Sequence, residues 1–456
     1  MSSPALSDSF PPREGPSPAP VREGLVLAIL ASVQFTNIVD FMVIMPLGPE
    51  LERDLKLTPA GFSMIVAVYT YAAGLAGLTA TMLIDRFPRR TAFLWLYAGF
   101  LAGTLFCGLA PNFVALLAAR FVTGAFGGVL GGMAMTIVGD VFPESRRGSA
   151  MATVTLAFAL ASTFGVPVGI TLGQAYGWHT PFFVLALLGL PTLFLAFRGL
   201  PPLDSHVGEA SVDSPWQRLR GTLVEPNHLR AFALTVAIQF GSFAIFPFIS
   251  PYLVSNVRMP EQHLRWMYVV GGVMTLFAAP LAGRLADRFG KLLVYRVMAP
   301  VTALVMIALT NLPPVPTAVA VVVMASLMVS NAGRMVPAMA MITSSVLPHR
   351  RGGFLGANSA VQHIASGLGA SAAGLIVTKS AEGPYQHFPA VGWIGAGVTV
   401  ASLWIAGRLR LAEEPVDIPL EESMAAAAQA TVDQAEPIVS SHLAPRDERA
   451  IIDVPH

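Results

Sequence analysis

Two side chains of opposite charge sit where charges are costly. Asp40 ends the stretch Gln34-Phe35-Thr36-Asn37-Ile38-Val39-Asp40, inside an apolar run at about 24–48. Arg120 stands inside another run, at about 113–139. At 1.5 Å per helical residue, Asp40 lies roughly 12 Å from the Gly48 end of its run, and Arg120 roughly 10 Å from the start of its own. The depths agree, so the two could lie in one layer. Desolvation tightens a carboxylate's hold on its proton and a neighbouring guanidinium loosens it, so such a pair can load and release a proton. The plainer alternative is a permanent ion pair that ties two helices together.

A second polar set, Asn331, Arg334, Asn358, Gln362 and His363, occupies two later apolar runs. Counting from the polar ends of those runs puts Arg334 and His363 both roughly 13–17 Å deep, in one layer. Arg334 suits an anionic or hydroxyl-rich ligand. Its alternative role is to donate to carbonyls near Asn331 and Pro337 and so tether a bent helix. His363 reads as a hydrogen-bonding group before a proton carrier.

The elements that hold these residues follow from composition. Only 12% of the 456 residues are charged, against about 25% in soluble proteins, and mean hydropathy is +0.63. Apolar runs recur at about 24–48, 61–84, 91–110, 113–139, 149–172 and 180–198, then at about 229–254, 265–284, 292–312, 317–346, 354–378 and 390–410. Each is near the ~20 residues a helix needs to cross a ~30 Å hydrocarbon core. The fold class expected is an all-α integral membrane protein. Its parts are a disordered tail (1–23), a six-helix bundle (24–198), a polar loop (199–228), a second six-helix bundle (229–410) and a second tail (411–456).

Lys and Arg fix the expected orientation. One set of connections carries Arg86, Arg89, Arg90, Arg146, Arg147, Arg218, Arg220, Arg288, Lys291, Arg350 and Arg351; the other has Arg53, Lys56, Arg258, Arg265 and Lys379. Both tails and the central loop are therefore expected on the cytoplasmic side of a cell (inner) membrane. A net charge of +1 without a basic cluster gives no reason to expect nucleic acid, and the single cysteine, Cys107, excludes a disulfide within the chain. A phosphate-binding Gly-x-x-x-x-Gly-Lys-Ser/Thr loop and a His-Glu-x-x-His metal motif are both absent from the sequence, so neither ATP-driven chemistry nor zinc hydrolysis is indicated.

The chain is built twice. Asp85 returns as Asp287 (287 − 85 = 202), Arg147 as Arg351 (351 − 147 = 204), Gln34 as Gln239 (239 − 34 = 205) and Pro46 as Pro251 (251 − 46 = 205). A near-constant offset makes the two bundles parallel repeats. Asp40 falls opposite Ile245 (245 − 40 = 205), so the acid belongs to one half only and does not serve symmetric packing.

Gly283-Arg284-Leu285-Ala286-Asp287-Arg288-Phe289-Gly290-Lys291 resembles the signature of the major facilitator superfamily between spans two and three, Gly-x-Leu-Ala-Asp-Arg-x-Gly-Arg/Lys. The first-half copy keeps Leu83, Asp85, Arg86, Arg89 and Arg90 but has Thr81 and Pro88 where glycines belong. Arg120-Phe121-Val122-Thr123-Gly124 resembles the family's Arg-x-x-Gln-Gly segment, and Gly165-Val166-Pro167-Val168-Gly169-Ile170-Thr171-Leu172-Gly173 its fifth-span antiporter segment in the twelve-span drug- and sugar-efflux branch. The resemblance implies the major facilitator fold, with twelve transmembrane helices and a cavity lined by spans one, four, seven and ten. It implies proton-coupled efflux of small organic molecules by a monomer in the lipid bilayer, driven by the proton gradient and needing no cofactor. A proton symporter importing sugars or organic acids is the alternative, and a non-transporting membrane sensor the alternative outside transport. On spans one and four of that cavity, Asp40 and Arg120 are expected to face each other and become the proton-coupling candidates; Gln34, Asn37, Gln239, Asn331, Arg334, Asn358, Gln362 and His363 become the cavity candidates. Asp85 and Asp287, with the basic residues beside them, become a cytoplasmic gate that must break on each cycle.

Overall fold

In the computed structural model, residues 23–83, 87–203, 221–222, 224–347, 350–380, 383–410 and 412 are described. Asp85, Arg86, most of the central loop and nearly all of both tails lie outside them. The chain runs through α1 (Glu23–Val43), the short α2 (Gly48–Asp54), α3 (Pro59–Leu83), α4 (Arg89–Leu109) and α5 (Phe113–Val141). α6 (Glu144–Leu160) and α7 (Val166–Tyr176) form one span, joined by a π turn at Ala161–Gly165, and α8 (Thr180–Gly199) closes the first half. The second half comprises α9 (Pro226–Ser255), α10 (Leu264–Phe289), α11 (Lys291–Thr310), α12 (Thr317–Ser344), α13 (Arg351–Ile376) and α14 (Phe388–Ala406). A two-residue hairpin, β1 (Thr378–Lys379) with β2 (Tyr385–Gln386), links the last two helices.

Every apolar run of the sequence is a helix, and eleven of the twelve spans are long and apolar enough to cross a membrane. The twelfth, α13, has the length, but its glycines and serines and Asn358, Gln362 and His363 dilute its hydropathy. One expected boundary is corrected. The first helix stops at Val43, and a turn leads into α2. Pro46 and Pro49 cannot donate to a helical ladder, which accounts for the break. Asp40 is thus three residues from the end of α1, roughly 4.5 Å along its axis rather than 12 Å. It is still deep, because Ile44, Leu47 and Leu51 of the turn and α2 are themselves buried above it.

The two ends of the bundle are organised differently. At the end carrying α2, one core is shared by both halves: Val43, Leu47 and Phe62 of the first pack in the same cluster as Phe248, Leu253 and Phe388 of the second. At the basic end each half keeps its own core, Val26 to Leu200 in one and Ala231 to Ala406 in the other. The helices that cross between halves do so through small residues, as helices in lipid must to approach closely. A side chain on Gly374 would collide with Ser63, on Gly367 with Tyr71, on Gly74 with Ile364, and on Gly356 with Thr81, so α3 and α13 run antiparallel in contact over their whole length. On the other flank, Gly272 of α10 rests on Thr163 in the π turn.

Candidate functional site

In the first half the structure brings Asp40 and Arg120 together. Arg120 Nη1 donates to Asp40 Oδ2 at 2.8 Å and to the Asp40 backbone oxygen at 3.3 Å, and both side chains are fully buried. Thr104 of α4 donates to the other carboxylate oxygen at 3.1 Å. The guanidinium carbon of Arg120 lies 4.4 Å from the centre of the Tyr69 ring, close enough for a cation–π attraction. Tyr69 in turn donates to Asn37 at 3.1 Å, and Asn37 to the Gly127 carbonyl at 3.1 Å. A side chain at Gly127 would strike both Asn37 and Tyr69. The result is a continuous polar chain through α1, α3, α4 and α5. It is not saturated, because Arg120 Nε and Nη2 are buried without a partner.

The fifth-span segment positions the same helix. A side chain at Gly165, Gly169 or Gly173 would collide with Val39, Val43 or Leu47 respectively. Glycines at every fourth residue thus receive side chains at every fourth residue of α1 and the turn that follows it, beginning one residue before Asp40. Pro167, within the first turn of α7, lacks the N–H that would continue an α ladder. The π turn immediately before it absorbs the fault, with the Val166 N–H bonding back five residues to Ala161. That turn is also where α10 of the other half makes contact, so α1, the π turn and α10 form one mechanical line.

The second half holds its arginine differently. Arg334 is fully buried, and all three of its nitrogens are bonded. Nε donates to Asn331 at 3.2 Å, Nη1 to Thr399 at 3.0 Å, and Nη2 to Ser242 at 2.7 Å and Asn331 at 3.0 Å. It joins α9, α12 and α14 through neutral oxygens alone. Of the other cavity candidates, Asn358 accepts from Thr235 at 2.7 Å, Gln239 is buried, and Gln34 lies beside Gly131 with Oε1 unpartnered. Gln362 and His363 are half-buried on α13. None of these five is among the hydrogen-bond partners of Arg334, which include no α13 residue.

The gate-motif residues stand at the basic end. Gly290 has φ +93° and joins α10 to α11 in a left-handed turn, a conformation that favours glycine. The first-half copy replaces that turn with Pro88 at φ −55°, which accounts for its different sequence. Lys291 bonds Ser344 at 2.7 Å, Arg89 pairs with Asp140, and Arg288 lies over the Phe289 ring. Asp287 is exposed, with no ion pair among the described residues, and Gly283 faces Val336.

At the opposite end the structure shows a constellation that the sequence did not single out. Arg53 grips Glu261 at 2.6 and 3.2 Å, Gln174 donates to the Glu261 backbone oxygen at 2.7 Å, and Glu52 takes Lys379 at 3.0 Å and the Tyr385 hydroxyl. Among the described residues, every ion pair between the two halves belongs to this group. Burial and the Glu52 carboxylate together push the Tyr385 phenol up. Glu50 lies beneath, with Oε2 unpartnered near Gly173. Burial chiefly, then the nearby Glu261 and Asp54 charges against the opposing pull of Arg53, raises its pKa to about 7. The partners are 208 and 327 residues apart, so no local pattern links them. The available signal was Glu50, Glu52 and Asp54 crowded into one connection of a charge-poor chain.

The sequence pattern of the Major Facilitator Superfamily matches residues 30–232 and again 231–444. The chain is 27% identical over 369 residues to the inner membrane transport protein YdhP of Escherichia coli strain K12, covering 80% of this chain and 91% of that one. It is 22% identical over 261 residues to a probable sugar efflux transporter of Mannheimia succiniciproducens, covering 57% and 64%. The inward open structure of the xylose transporter XylE from E. coli superimposes with a TM-score of 0.68 at 16% identity, covering 88% of this chain and 99% of that one, a likeness of fold.

Proposed function

The chain belongs to the Major Facilitator Superfamily, and we propose that it exports small organic molecules in exchange for protons, with Asp40 as the proton carrier. It is a multi-pass membrane protein and a secondary transporter of small molecules, not an enzyme. The observation that carries the proposal is the Asp40–Arg120 pair, fully buried and present in one half only. Ionisable groups within a membrane are expensive to keep and mark ion pathways. When ionised, Asp40 ties α1 to α5; when protonated, it releases Arg120 and loosens the helix gripped by the glycines of the fifth span. Export is supported by the efflux-type pattern of that segment and by the relative whose name is a sugar efflux transporter.

With the arginine-rich connections on the cytoplasmic side of the inner membrane, the shared core and the Glu52 group close the outer end. Substrate then enters from the cytoplasm between the two separate cores, past Gln34, Asn37, Gln239, Asn358, Gln362 and His363. Asn331 and Arg334 fix the helices behind them. The proton gradient is the driving force, and a single chain suffices.

The test is a resistance and accumulation screen in cells lacking their own efflux systems, comparing the wild type with Asp40→Asn and Arg334→Ala. The wild type is expected to lower the cell content of at least one compound, and Asp40→Asn to fail. Accumulation raised by the wild type, or equal export by Asp40→Asn, would contradict the reading.

A further inference from the structure

Outside the transport path, a groove of about 740 Å³ runs between α4 and α8 from the basic end. Its one charged lining residue is Arg90, in the first turn of α4; Thr91 adds a hydroxyl, and the walls below are apolar, among them Leu94, Trp95, Ala98 and Phe194. Arg90 is built into this place. Its Nη2 donates to the Phe197 carbonyl at 2.5 Å, near the end of α8. Its guanidinium carbon lies 5.9 Å from the centre of the Phe197 ring. Its Nε is buried with no partner. Its neighbour Arg89 is neutralised by Asp140, whereas Arg90 has no carboxylate among the described residues.

A cation in the first turn of a helix is opposed by the helix dipole, and an anion there is favoured. No acid occupies the first turn of α4. An anion from outside the chain therefore meets two needs at once, the charge of Arg90 and the start of the helix. The rest of the groove rejects a free aqueous anion. Trp95 is 74% exposed and Phe194 58%, on a face that meets hydrocarbon. From Arg90 to Ala98 the groove descends roughly 12 Å along α4, the direction an acyl chain takes from its headgroup.

We propose that the groove between α4 and α8 is a binding site for an anionic phospholipid, with the phosphate on Arg90 and Thr91 and one acyl chain along Leu94, Trp95 and Phe194. Basic pockets between helices at the membrane surface take lipid headgroups in this way. The proposal does not depend on the direction of transport or on the Asp40 proton, and its test reads binding alone.

The full-length protein in detergent is titrated with dioleoylphosphatidylglycerol, dioleoylphosphatidylcholine and inorganic phosphate, and bound molecules are counted by native mass spectrometry. The wild type is expected to prefer phosphatidylglycerol over phosphatidylcholine about fivefold, the preference one cation near the surface confers, and not to retain phosphate. Arg90→Gln should erase that preference, and Ala98→Phe, which fills the groove and leaves Arg90 in place, should lower retention of phosphatidylglycerol. Either variant alone decides the question if the other fails to fold. Equal binding of the two lipids by the wild type, retention of phosphate in their place, or a preference that survives the substitutions would overturn the proposal.

Discussion

The two halves each bury one arginine completely and treat it in opposite ways. Arg120 faces the carboxylate of Asp40, keeps two nitrogens unpartnered and lies over an aromatic ring. Arg334 faces Asn331, Ser242 and Thr399, with all three nitrogens engaged. A pair containing an acid changes net charge when a proton arrives; an arginine among neutral oxygens does not. In the proposed cycle the first arrangement is a switch and the second a tether. The repeat makes the difference meaningful, since the position opposite Asp40 is Ile245, a buried core residue.

Removing one partner of a buried ion pair leaves an uncompensated charge, which costs about 3–5 kcal/mol. Arg120→Leu, which strands Asp40, is therefore expected to produce the largest loss in thermal unfolding measured in detergent. Adding Asp40→Asn to it should recover much of the loss. Arg334→Leu removes the buried cation together with its bonds and leaves no charge uncompensated, since the partners left behind, Asn331, Ser242 and Thr399, are neutral. A smaller destabilisation is expected, and the pH dependence of transport should be unchanged. Equal effects of the two substitutions on that pH dependence would erase the distinction between switch and tether.

A smaller effect is expected at the closed end. Closure raises the pKa of Glu50 from 4.5 to about 7, so the closed form binds the proton more tightly than an open, hydrated one. Closure is then least opposed below the ordinary carboxylate range and weakens as pH rises toward 7. Beyond about 7 both forms are ionised and the effect levels off. Ser63, sealed against Gly374 at that end, is the natural reporter, as Ser63→Cys in a Cys107→Ala background. Labelling of this cysteine by a membrane-impermeant maleimide should favour pH 8 over pH 6 by up to about tenfold, and Glu50→Gln should flatten the dependence. A flat profile in the protein that retains Glu50 would contradict it.

Most of the fold was legible because a membrane span is written as one long apolar run, and the repeat because charges are scarce. Where local chemistry departs from a simple run, the sequence was less direct. Pro46 and Pro49 cut α1 short of Gly48, and glycines and polar residues made α13 the least apolar span. In the site, the pairing of Asp40 with Arg120 was legible because both are charges deep in apolar runs, on spans that the family resemblance sets around one cavity. A tether was one of the two readings of Arg334, but its partners were not legible: they are side-chain oxygens from three helices rather than nearby carbonyls, and which neighbours it meets depends on helix rotation. The Glu52 group was invisible for a stronger reason: it exists only when the halves meet, and its members are joined by nothing but that meeting.

The central claim is that Asp40 carries the coupling proton. It is tested most directly in inside-out vesicles, using the compound found in the screen and an imposed pH gradient, for the wild type and Asp40→Asn. The account predicts that the wild type accumulates the compound when the vesicle interior is acidic. Asp40→Asn should lose that response while still exchanging the compound down its own gradient. Accumulation by Asp40→Asn that follows the pH gradient as the wild type does would show that the proton travels by another group.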